Sequence, residues 1–143
     1  MKKTIIVGGE PLKFEATTGT GELYQMFTGG NIYNDLQELS KAFKGGFDDP
    51  NKVSMGDVNK ALSLVKKMGF VMYTQANTEG NTNAERIRNI KEKLNEDEYL
   101  GWLLGIDNNE FNGELFNQLL ELMNLNSKTY VEPKNLAGQP REN

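Results

Sequence analysis

The stretch from Gly56 to Ala76 constrains this chain more than any other, because it is apolar over too much of its circumference to lie on a surface. Val58, Ala61, Leu62, Val65, Met68 and Met72 recur at helical spacing and form one stripe. Leu64, Phe70 and Val71 add apolar side chains on other sides. A helix of that kind is stable only when neighbours cover it from several directions, so it belongs in the middle of a domain. Ser54 and Asp57 stand at the spacing of a capping pair and mark its start. Gly69, inside it, costs up to ~1 kcal/mol relative to alanine, which predicts close approach of a neighbouring helix.

The flanking segments supply that cover. Thr4 to Val7 is β-branched, Gly8-Gly9-Glu10-Pro11 carries turn chemistry, and Leu12, Phe14 and Ala16 alternate with charged residues. This pattern predicts a β-hairpin, which needs helices or another chain to pack or pair with. Thr20 is the expected N-cap of a short helix, Glu22 to Phe27, ended by Gly29-Gly30. Ile32, Leu36, Leu39 and Phe43 predict a second helix that stops at Gly45-Gly46, with a loop over Phe47 to Lys52. Beyond the central helix, Asn77 to Thr82 is a polar loop. Ile87, Ile90 and Leu94 carry a thin helix, and Asn95 with Glu98 starts another that contains Tyr99, Leu100, Trp102, Leu103 and Leu104. The last helix runs from Gly113 to Asn124, with Leu115, Phe116, Leu119, Leu120 and Met123 on one face. The fold class is mainly α (α+β): an N-terminal β-hairpin and about six α-helices in one compact domain, residues 1–126. A flexible tail is expected over 127–143.

Among 143 residues there is no cysteine and no histidine. A disulfide framework, a thiol nucleophile and serine–histidine catalysis are therefore excluded. With 16 Lys+Arg against 20 Asp+Glu the net charge is -4, whereas a nucleic-acid binder normally carries a basic excess. No apolar run approaches the ~20 residues of a membrane span, and the start of the chain lacks the apolar core of a signal peptide. The expected partners are therefore proteins, with no nucleic acid, no membrane and no cofactor.

Three patterns come near a site and fall short. Gly19-Thr20-Gly21 begins like a dinucleotide fingerprint, but Tyr24 stands where a third glycine is required. Asn108 to Gly113 begins like a calcium loop, but Leu119 occupies the position of the bidentate glutamate. A capped turn is the expected reading there. Asp48-Asp49 and Glu96-Asp97-Glu98 are read as favourable charges at helix N-termini rather than as metal or acid–base carboxylates. No catalytic, cofactor-binding or metal residue is assigned. Leu12 and Phe14 on the hairpin, with Tyr99, Trp102, Phe111 and Phe116 near the C-terminal end, are candidate partner contacts, because aromatic anchors dominate protein interfaces. Plain core packing is the alternative for each.

The segment Leu12-Lys13-Phe14-Glu15-Ala16-Thr17-Thr18-Gly19-Thr20, then Leu23-Tyr24, Phe27 and Asn31-Ile32-Tyr33-Asn34-Asp35-Leu36, resembles the opening of tail assembly chaperones of long-tailed bacteriophages. The helix end Val71 to Ala76, the Tyr99–Trp102 segment and Leu119 to Asn126 are similar to later parts of that family. Gly21 replaces a proline frequent in the family, and Asn77 to Leu94 is longer and more polar. The resemblance implies a non-enzymatic protein of the bacterial host cytoplasm, absent from the finished virion. It would hold the tape-measure protein soluble and help recruit the major tail-tube protein. It also implies a longer frameshifted form, for which Lys134-Asn135 would have to be encoded by a slippery AAA-AAC run, and it leaves self-association open. The alternative is a structural tail or head–tail joining subunit that stays in the particle.

Overall fold

In the computed structural model, which describes residues 1–42 and 54–124, Gly8 and Gly9 have φ of 61° and 84°. Two successive positive φ values make a type I′ turn, whose twist matches that of paired strands. The turn is therefore two residues long, and Glu10 and Pro11 belong to the second strand rather than to the turn. Strand β1 (Lys2–Val7) pairs antiparallel with β2 (Glu10–Glu15), in the register Lys3 opposite Phe14 and Ile5 opposite Leu12. Ile5, Val7, Phe14 and Ala16 point inward and are buried.

Six α-helices follow among the described residues: α1 (Thr20–Thr28), α2 (Ile32–Ala42), α3 (Met55–Ala76), α4 (Asn83–Lys93), α5 (Glu96–Leu104) and α6 (Gly113–Leu122). A 3-10 turn, Asn108–Glu110, precedes α6. The mainly α architecture with an N-terminal hairpin is thus what the chain adopts. Helix α3 lies at its centre, with Val65, Met68, Val71 and Met72 almost wholly excluded from solvent. Strand β2 and helices α1, α2, α4, α5 and α6 all contact it.

The boundaries follow from local chemistry. Ser54 Oγ accepts from the Asp57 N–H at 3.1 Å, Asn95 Oδ1 from Glu98 and Asn112 Oδ1 from Leu115. Each satisfies a donor left without a partner at a helix start. Thr82 caps α4 in the same way through Glu85. Helix α1 ends where Gly29, at φ 82°, donates to the Gln25 carbonyl. Gly69 does permit close approach, but of three side chains rather than one helix. An added Cβ would stand 3.4 Å from the Trp102 ring, 3.6 Å from Leu119 and 3.8 Å from Phe14.

Two positions depart from the sequence reading. Ile87 does not carry the inner face of α4; it is 42% exposed, and Ile90 and Leu94 hold the helix to the core. Leu122, outside the expected face of α6, is buried. The Phe47–Lys52 loop with Asp48-Asp49, Phe43, the Gly45-Gly46 stop and the tail over 127–143 with Lys134-Asn135 lie outside the described residues.

Candidate functional site

The candidate contact residues separate by burial. Phe14, Tyr99 and Phe111 are core residues, with 0%, 8% and 3% of their surface exposed. They meet no partner while the fold is closed. Leu12, Trp102 and Phe116 are half-buried and pack against the core from its margin.

The aromatic residues form one connected stack on α3 rather than an exposed patch. Phe70 lies 5.3 Å from both Phe27 and Tyr99 and 5.7 Å from Trp102, between ring centroids. Trp102 continues to Tyr73 at 5.4 Å and Phe111 at 5.7 Å, and Tyr73 reaches Phe14 at 6.2 Å. Tilted and edge contacts at these distances add about 0.5–1.5 kcal/mol per pair beyond burial. The stack joins β2, α1, α3, α5 and the turn before α6. The Trp102 indole N–H is buried with no hydrogen-bond partner among the described residues.

The Thr17–Gly21 junction, where a nucleotide loop would begin, is a structural lock. Thr20 is the first residue of α1 rather than its cap; Gly19 holds the cap position with no side-chain bond. The buried Thr20 hydroxyl donates to Gln75 Oε1 of α3 at 2.7 Å and accepts from the Thr17 N–H at 2.8 Å. Gln75 Nε2 in turn donates to Thr17 Oγ1 at 3.2 Å. These side chains satisfy one another and tie the junction to α3.

The polar stretch after α3 has its own anchor. Arg86 Nη2 donates at 2.6 Å both to Glu15 Oε1 and to the Gln75 carbonyl, and Nε donates to the Thr78 carbonyl at 3.0 Å. One guanidinium thus joins β2, the end of α3 and α4. Its role was not visible in the sequence, because its partners lie 8 to 71 positions away. At the failed calcium motif, the Glu110 carboxylate accepts the Gly8 N–H at 3.0 Å and Asn112 caps α6. The capped-turn reading holds there.

A cleft of about 650 Å³ lies between α1, α2 and the first half of α3. Its lining mixes Asp35, Glu38 and Asp57 with Lys41, Lys60 and Lys67. The Tyr24 hydroxyl donates to Asp35 at 2.7 Å. Burial first, and that hydrogen bond second, push the Tyr24 phenol above its ordinary range, so it stays neutral.

Among the described residues, the outer face of α5 leaves two apolar side chains exposed in whole or in part. Leu104 is 89% exposed and Leu100 49%, and the i, i+4 spacing places them on one side. Beside Leu104, at i, i−3, a Cβ on Gly101 would meet no other part of the described residues within 4 Å apart from its own helix backbone and chain neighbours. Glu96 and Asp97 precede them in the first turn. Trp102 and Tyr99, on the same helix, face the opposite way into the stack. Among the described residues no group of three or more Asp or Glu side chains is placed to hold a metal ion, and no helix is long and apolar enough to cross a membrane. Compared with protein-family models, with characterised proteins and with solved structures, the chain matches none.

Proposed function

We propose that this chain is a tail assembly chaperone of a long-tailed bacteriophage or prophage, which binds helical segments of the tape-measure protein and helps recruit the major tail-tube protein, without chemistry of its own. The observation that supports this reading is the outer face of α5. Leu100 and Leu104 are exposed while the aromatic side of the same helix is buried. Gly101, three positions before Leu104 and so beside it on the helix surface, has no Cβ and, among the described residues, no neighbour from another element to hold a second helix off. A long helical client exposes apolar stripes and needs reversible cover, and an apolar helix face offers it. Covering one leucine contributes about 1.5–3 kcal/mol at most, so two give a contact weak enough to release. The net charge of -4 keeps such a complex dispersed.

Co-expression with the tape-measure protein encoded beside it is the test. The expected result is soluble client and a complex that survives gel filtration. Leu100→Asp with Leu104→Asp should abolish that complex while leaving the unfolding midpoint unchanged. Client that stays insoluble and uncomplexed with the unaltered chain overturns the proposal. Recovery of the chain from purified virions would favour a retained structural subunit instead.

A further inference from the structure

We propose that the outer edge of β1 is a pairing surface for a second copy of this chain, joined antiparallel about a twofold axis at Thr4. The hydrogen-bond phase of the hairpin defines this edge. Met1 and Ala16 exchange both backbone bonds, the Met1 amino group donating to the Ala16 carbonyl at 2.6 Å and the Ala16 N–H to the Met1 carbonyl at 2.9 Å. In an antiparallel pair such bonded positions alternate with non-bonded ones. The register therefore makes Lys3–Phe14, Ile5–Leu12 and Val7–Glu10 the bonded pairs. Lys2, Thr4 and Ile6 turn their N–H and C=O groups away from β2, as do Pro11, Lys13 and Glu15 on the other side.

The two edges differ. That of β2 is blunted at two points: Pro11 has no N–H to offer, and the Lys13 carbonyl accepts from Asn77 Nδ2 at 3.1 Å. Along β1 the outward groups of Lys2, Thr4 and Ile6 have no partner among the described residues, and all three residues are exposed, Ile6 by 64%. Helix α6 meets β1 through Lys3, whose Nζ lies 3.9 Å from Glu121 and whose side chain is on the same face of the strand as Ile5 and Val7.

A second copy fits this edge in one orientation. Antiparallel pairing about Thr4 sets Thr4 opposite Thr4 of the other copy and Lys2 opposite Ile6. Each copy's three outward N–H groups then donate to the other's outward carbonyls. The stem of Lys2 covers the exposed Ile6, and the threonines form a favourable cross-strand pair. A parallel arrangement would bring Lys2 and Lys3 of the two copies together, and like charges side by side are destabilising. The resulting four-stranded sheet ends on two β2 edges blunted by Pro11 and Asn77, which disfavours growth beyond the dimer. This inference does not depend on the chaperone reading, because it concerns the chain without its client.

Sedimentation equilibrium and light scattering on the full chain test it. The expected species is twice the chain mass of 16.1 kDa, in equilibrium with monomer. Thr4→Pro removes an outward N–H that has no partner within the chain, so it should weaken dimerisation at least ~10-fold without changing the circular dichroism spectrum. Thr4→Lys and Thr4→Glu each set like charges across the axis. Each alone should be monomeric, and an equimolar mixture should dimerise again. Amide exchange at Thr4 and Ile6 should slow as concentration rises. A chain still monomeric at about 1 mM, the weak end of specific association, overturns the proposal. So does a dimer untouched by Thr4→Lys, or a Thr4→Lys and Thr4→Glu mixture that stays monomeric.

Discussion

Thr20, Gln75 and Thr17 are small polar residues with a large share in the fold. Thr20 and Gln75 are buried, and each has its partner only because the other is in place. Thr20→Val keeps the shape and removes the hydroxyl, leaving Gln75 Oε1 and the Thr17 N–H without it. Denaturant titration should show a loss of about 1–3 kcal/mol. Adding Gln75→Leu to Thr20→Val should recover part of that loss, since the unmatched amide goes with it. Gly69 poses the opposite case. The nearest atoms stand at ordinary contact distance from an added Cβ, so Gly69→Ala should gain up to ~1 kcal/mol from helix propensity. Gly69→Leu has no such room against Trp102, Leu119 and Phe14, and should lower the unfolding midpoint.

Capping signals placed helices that periodicity alone left uncertain. Ser54 and Asn95 make the bonds that their spacing implies, and Asn112 supplies the cap of the turn expected before α6. Asn112→Ala should cost about 1 kcal/mol, measured by thermal unfolding, because the Leu115 N–H then loses its acceptor. Helix α5 is more instructive, since its two faces have opposite fates. Its aromatic residues, the natural candidates for partner contact, turned inward as Tyr99 and Trp102 joined rings from three other elements. Its plain leucines stayed outside. Residue type names an anchor equally well in a core or at an interface, so only the direction of the helix face separates them. Gly101→Ala should stabilise the free chain by up to ~1 kcal/mol, because nothing is near the added Cβ. On the proposed reading it should also weaken client binding in the same co-expression assay.

For the whole molecule, burial first, and then the charge of Glu96, push the Tyr99 phenol up to about 12 from an ordinary 10.0. Tyr24 moves in the same direction. A phenol raised on folding favours the fold while it is neutral. That contribution is complete below about pH 10 and is lost as pH rises toward 12. Melting temperature should therefore fall through that interval, together with the rise of tyrosinate absorbance. Tyr24→Phe would lessen the fall, with Asp35 losing its donor as the accompanying cost.

The helical content, the central place of α3, the caps at Ser54 and Asn95 and a turn beginning at Gly8-Gly9 were legible in the sequence. Each depends on residues within a few positions of one another. Tertiary structure alone decided that Thr20 binds Gln75, that Arg86 clamps Glu15 to the end of α3, and that Ile87 faces solvent while Leu122 is buried. It also decided which edge of the hairpin stays open. These outcomes rest on contacts between groups dozens of residues apart, and on the rotation of each helix about its own axis. Local spacing sets neither.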